Sequence, residues 1–331
     1  MKIFAAPLSF PILPVLLLAL CVSSLAQNAD SQSPPILDQG ARLNPNKIAL
    51  LHWYLANTAP TTFTVGSQPY GLAFDGSNMW SANFGDGTVS KVRTSDGAVL
   101  GTFRTGTQPY GVTFDGANIW VSDIAENKVT KLRASDGKNL GDFAMGGIPG
   151  WMTFDGENIW VPVGISTNSG EIKKLSVING KTLGSYALSV SPIASAFDGH
   201  AVWVTGGSSI VKLGGDGTVL GTFPDNGSPL GICFDGANIW VANRGASTVA
   251  KLRASDGTVL GTFDVTNSPY GLAFDGVNIW VAGAPEVFVL RASDGKEIMK
   301  LNPPKTNTIA MAFDGANMWS SGLNENLLIK F

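Results

Sequence analysis

The sequence predicts an all-β fold: a single seven-bladed β-propeller of four-stranded blades, closed by a strand from its own N-terminal side. Three observations lead there. Phe-Asp-Gly-x-Asn-Ile-Trp, or a near copy, is written seven times, with its phenylalanines at Phe74, Phe114, Phe154, Phe197, Phe234, Phe274 and Phe313. Neighbouring copies lie 40, 40, 43, 37, 40 and 39 residues apart, and a tryptophan follows each phenylalanine by six residues. A period of about forty with strand-like units marks a propeller. The third observation is the end of the chain. The last repeat stops at Phe331 one strand short, while residues 61–66 read like the outer strand of a blade with no blade before it. Joining the two closes the ring and removes exposed sheet edges, and the count works only for seven blades.

The elements follow in order. Residues 1–26 have the composition of an export signal of bacterial type: Lys2, an apolar run from Val15 to Val22, then Ser24-Leu25-Ala26 before Gln27. An uncleaved anchor is the rival reading, since no charge stands between Lys2 and Asp30, and it is opposed by Pro7, Pro11 and Pro14, which break that segment and leave too short an uninterrupted run to span. A lipoprotein through Cys21 is the third, opposed by bulky Leu20. Cleavage leaves a secreted or periplasmic chain with no membrane span. Residues 27–43 form a polar, Pro-containing linker, and Asn44-Pro45 then supplies an N-cap and first helical residue for a helix over 44–59. Ile48, Leu51 and Leu55 give that helix an apolar face, expected to dock on one face of the propeller. The propeller spans 61–331.

In the first repeat the expected strands are 70–75, 78–83, 88–93 and 98–105. Asp75-Gly76 and Asp96-Gly97 supply the hairpin turns, since Gly takes positive φ and Asp bonds its own turn backbone. The Asp-Gly or Asn-Gly pair of the second turn recurs in the next five repeats. Phe and Trp of the motif are expected to fill the space between neighbouring blades. The Lys-Leu-Arg segments, such as 131–133 and 251–253, are expected to be solvated, pairing with turn aspartates. Cys233, unpaired at a small-residue position, is expected to act as a compact hydrophobe.

The run from Pro69 to Asp75, followed by Asn78-Met79-Trp80-Ser81-Ala82-Asn83 and Thr88-Val89-Ser90-Lys91-Val92-Arg93, resembles the YVTN and NHL class of propeller repeats. It is also similar to the repeats of streptogramin B lyase. The resemblance covers about residues 61–331. It implies the fold and leaves activity open, because such repeats carry lyases, lactonases, surface antigens and binding scaffolds. The lyases, as the resemblance implies, use histidine and glutamate with a divalent metal at the channel mouth. Neither His52, ahead of the propeller, nor His200, in a turn on the opposite face, matches those positions. Gluconolactonase-like propellers instead hold a metal with Glu, Asn and Asp, oxygen ligands that suit Ca²⁺ or Mg²⁺. The third residue after each motif tryptophan offers Asn83, Asp123 and Asn243 for this, with Arg244 beside them. One carboxylate and two amides are a poor donor set, so no metal ligands or catalytic residues are assigned.

One departure from the repeat is sharper. Two residues after the recurring proline stand Gly71, Gly111, Ala194, Gly231 and Gly271, but the third repeat has Trp151. A tryptophan there is expected to project toward the channel. Tyr70, Tyr110 and Tyr270, one residue earlier in their repeats, complete an aromatic lining able to stack on a sugar, peptide or aromatic ligand. Net charge is −3 with a pI near 5.4, and no Lys/Arg cluster stands out, which argues against a nucleic-acid partner. The expectation is an exported, monomeric, non-catalytic propeller without a cofactor, binding a protein, peptide or glycan on its loop face. The alternative is a metal-dependent lactonase or lyase-like enzyme at the same mouth.

Overall fold

The computed structural model describes residues 60–266, 268–303 and 307–331. The signal, linker and helix expected over 1–59 lie outside the described residues. Among the described residues there are seven antiparallel sheets. In the first blade the strands are Pro69–Phe74, Asn78–Asn83, Thr88–Arg93 and Val99–Arg104, from channel to rim. They match the sequence expectation to within a residue or two at each end. The seventh blade takes Thr308–Phe313, Met318–Gly322 and Leu327–Lys330 from the C-terminus, and Thr61–Thr64 pairs antiparallel with the last of these. Closure by the N-terminal strand is therefore as expected.

The repeated motif is a hydrogen-bonding unit as well as a packing unit. In all seven blades the motif aspartate accepts the indole N–H of the tryptophan five residues later, at 2.6–2.8 Å. Its other oxygen closes the turn: Asp75 Oδ1 accepts the amides of Ser77 and Asn78. The aspartate thus lets an indole be buried with its donor satisfied, which apolar burial alone would penalise. Six of the seven motif tryptophans are fully buried. Each packs on an outer-strand aromatic of its own blade, as Trp80 stacks on Phe103 at 5.6 Å and Trp240 on Phe263 at 5.7 Å, except that Trp280 meets Phe331 in a tilted contact. The motif phenylalanine packs on the preceding blade: Phe114 lies against the cluster holding Trp80.

The structure corrects the expectation for the Lys-Leu-Arg segments. Their lysines are buried, not solvated: Lys91, Lys131 and Lys251 are only 6–8% exposed. Each ammonium lies 5.1–5.2 Å from the ring centre of its blade's tryptophan and donates to turn carbonyls of the following blade. Lys251 Nζ reaches the carbonyls of Ala292 at 2.7 Å and Ser293 at 3.2 Å. Carbonyl oxygens and the ring face replace the water a buried ammonium would lose. Alternation along a strand cannot reveal this, because the following blade buries a face that would otherwise be wet. Only the arginines are exposed, and Arg133–Asp136 and Arg253–Asp256 pair as expected, with little effect on stability. The sixth blade alone breaks the series: Val289 stands opposite Trp280 where the other blades place lysine.

Cys233 is partly buried against the Trp240 cluster and is unpaired among the described residues, and burial pushes its thiol pKa up. The irregular spacings also have a structural origin. In the third blade the second strand is lengthened to the nine residues Asn158–Ser166, against six in the first, second and fifth blades. In the fourth blade it shortens to Val202–Gly206.

Candidate functional site

The loops that join outer to inner strands, and second to third strands, surround one mouth of the channel. Inner strands converge there so closely that side chains compete with backbone for space. A Cβ on Gly231 would sit 2.0 Å from the Tyr270 carbonyl oxygen, and one on Gly71 would sit 2.4 Å from that of Tyr110. The third blade solves this differently. Its inner strand is interrupted between Ile148–Pro149 and Thr153–Phe154, and Gly150 makes the close approach, with a Cβ placed 1.9 Å from the Ile193 oxygen. Trp151 then bridges in parallel to Ala194 of the next blade, donating its amide to the Ile193 carbonyl and accepting from the Ser195 amide. Its side chain lines a channel cavity of about 140 Å³ with Val112, Met152, Ser195 and Ile232. The tryptophan faces the channel, as the sequence predicts.

The tyrosines join it. Trp151 stacks on Tyr110 at 5.6 Å with 23° between the rings, Tyr110 meets Tyr70 at 5.2 Å, and Tyr70 meets Phe84 at 5.1 Å. This four-ring arc spans blades one to three. Across the mouth, the Arg244 guanidinium lies 4.5 Å from the centre of the Tyr270 ring. Burial pushes the phenols of Tyr70 and Tyr110 above the usual tyrosine range. Tyr270 adds to the rise of both and Tyr70 to that of Tyr110, while the Arg244 charge opposes it. Five predicted residues, Tyr70, Tyr110, Trp151, Tyr270 and Arg244, therefore stand around one opening.

A raised phenol pKa means that the folded state holds its proton longer than the unfolded chain does. The corresponding stability is complete below the unfolded value, about 10, and is lost as pH rises from there through the folded value. Absorbance titration at 295 nm is expected to show a late tyrosinate phase whose amplitude Tyr110→Phe reduces and the additional Tyr70→Phe removes. A Tyr110→Phe protein retaining the full amplitude would place the delayed phenol elsewhere.

The other three predicted residues have different surroundings. Asp123 is buried and its carboxylate accepts four backbone N–H groups, from Thr107, Gln108, Ala125 and Glu126, at 2.6–3.0 Å. It ties two mouth loops together. Asn83 donates to Thr88 and Ser90, and Asn243 to Thr248, each with its carbonyl oxygen buried and unpartnered among the described residues. His200 is exposed in the turn beside Asp198, whose carboxylate accepts its amide. Among the described residues no three His, Cys, Asp or Glu side chains gather as metal ligands. The donor set that a lyase-like divalent ion needs does not fit these residues.

Phe84 and the neighbouring groove were not foreseen. Phe84 and Ile124 occupy the place of Arg244 in their own repeats, four residues after the tryptophan, so repeat alignment could have found them. The groove, about 490 Å³, begins at Tyr110 and Ile124 and is walled by Ile148, Pro149, Ile165 and Ile193. Ile148 and Ile165 are 56% and 59% exposed. The lengthened third hairpin supplies one wall, and the 43-residue spacing was its signal.

No protein-family model matches the chain, and no curated protein matches it in sequence. Among solved structures, it is similar to a streptogramin B lyase (18% identity, TM-score 0.70), covering 82% of this chain and 96% of that one. A catalytically inactive variant of virginiamycin B lyase from Staphylococcus aureus, solved with quinupristin, is similar at 17% identity and TM-score 0.70, over 82% and 98% of the two chains. The β-propeller domain of Cps50 (Swd1) from Myceliophteria thermophila matches at 12% identity and TM-score 0.70, over 82% and 97%. What the chain shares with all three is a β-propeller fold, and with the lyases the seven-bladed form expected from its repeats.

Proposed function

We propose that this chain is an exported, non-catalytic propeller that binds an apolar, aromatic-containing peptide segment across its mouth. The observation that carries the reading is the continuity of the aromatic arc with the groove. Tyr110 belongs to both, so one extended ligand can stack at Trp151 and Tyr110 and continue between Ile148 and Ile165. Aromatic rings suit sugars and peptides alike, but walls of isoleucine and proline favour apolar side chains over hydroxyls. Export rests on the leader-like composition of residues 1–26.

Equilibrium dialysis against N-acetyl tetrapeptides of Ile, Phe and Tyr, with cellotetraose in parallel, tests this. Peptide retention without sugar retention is expected, and the peptide should be recovered with unchanged mass after incubation with Ca²⁺ or Mg²⁺. Trp151→Gly, which restores the residue common at this place in other blades, should abolish retention while moving Tm by only a few degrees. Sugar retention in place of peptide would overturn the reading, and a changed peptide mass would replace it with the enzymatic alternative.

A further inference from the structure

Arg244 is exposed on the loop between the second and third strands of the fifth blade, held over Tyr270. Among the described residues no carboxylate forms an ion pair with it. The lysines of the loop face differ: Lys128 pairs with Glu126, Lys173 with Glu171 and Lys300 with Glu286. Scarcity of partners does not account for this, since the chain carries 25 acidic residues to 22 Lys and Arg. The guanidinium instead lies over a ring face, which leaves N–H groups of its fork to donate to a planar anion. Its charge reaches Tyr70 and Tyr110 across the opening. Cation, phenols and arc therefore address the same space.

We infer that the mouth captures the free C-terminus of a peptide that ends in an aromatic residue. The α-carboxylate pairs with Arg244, the terminal ring enters the space bounded by Tyr70, Tyr110 and Tyr270, and the preceding residues run into the groove past Ile148 and Ile165. A free C-terminus carries a carboxylate whatever the side chains, and its two oxygens match the guanidinium fork. The inference rests on the peptide-binding reading above and adds polarity to it: the chain end, rather than an internal segment, is what is recognised. It also gives a specific task to a charge that contributes nothing to the propeller core.

Calorimetric titration of the full chain with N-acetyl-Gly-Ile-Ile-Phe, as the free acid and as the C-terminal amide, decides it. The acid is expected to bind roughly tenfold or more tightly than the amide, as loss of a charge-assisted pair implies. Arg244→Gln should bring the acid down to the level of the amide and leave the amide unchanged, and Arg244→Lys should restore part of the difference. Raising the salt concentration should weaken the acid and spare the amide. Equal binding of acid and amide by the wild-type chain would overturn carboxylate capture while leaving peptide binding intact. Equal losses for both ligands in Arg244→Gln would also overturn it, because the arginine would then act through its stacking on Tyr270. Binding of neither would remove both readings together.

Discussion

Trp240→Ala is expected to destabilise the propeller by about 3–5 kcal/mol, as removal of a fully buried large aromatic does where the surroundings relax only in part. Trp240 is 0% exposed and sits among Val249, Leu272, Ile279 and Leu290, the last three from the sixth blade, so the cavity would open at a seam between two sheets. It also takes one partner from each of Asp235 and Lys251. Asp235 loses the indole donor at 2.7 Å, and the ammonium of Lys251 loses the ring 5.1 Å away. Chemical denaturation with the midpoint followed by circular dichroism measures the effect, and a loss under 1 kcal/mol would mean the blades do not depend on this unit.

Trp240→Phe separates packing from the hydrogen bond. Burial pushes the Asp235 carboxyl up, but the Trp240 indole, the Ala237 and Asn238 amides and the Asn238 side chain together hold it below its usual range. A depressed folded value contributes stability that is present above the unfolded pKa, about 3.9, and is lost as pH falls through the folded value. Without the indole donor that depression shrinks. The acid-unfolding midpoint of Trp240→Phe is therefore expected to lie at higher pH than that of the wild-type chain.

Deleting Thr61–Thr64 is expected to be as damaging, through the ring rather than through one seam. The strand pairs along its length with Leu327–Lys330, and Phe63 stacks on Trp319 at 5.4 Å. Loss of the phenylalanine alone removes about 2 kcal/mol of apolar burial. Loss of the ladder leaves an unpaired edge, which templates association with a second copy. The expected result is a broadened, less cooperative melt together with concentration-dependent aggregation. Phe63→Ala, which keeps the backbone ladder, should lower Tm without raising the molecular mass measured by light scattering. If the deletion melts like the wild-type chain, closure does not hold the ring.

The sequence determined the blade count, the strand boundaries and the closure, because each is written in local chemistry repeated seven times. Turn pairs such as Asp96-Gly97 specify hairpins by the backbone they permit, and Gly97 does adopt a positive φ of 74°. It also placed Trp151 and the three tyrosines at the mouth, since equivalent positions in a closed ring converge. Tertiary structure decided what each polar group does there. Lys251 alternates along its strand as a solvated residue would, yet the following blade buries it under the carbonyls of Ala292 and Ser293. Asp123 resembles a metal ligand by position, but its own turn brings the Ala125 and Glu126 N–H groups to it and the preceding mouth loop brings those of Thr107 and Gln108. Arg244 is one residue away from Asn243 and reads as part of the same polar loop, while folding lays it on Tyr270, 26 residues further on. Local propensity is fixed by neighbours in sequence, whereas desolvation and charge pairing are fixed by neighbours in space, and in a ring of blades most of those come from the next repeat.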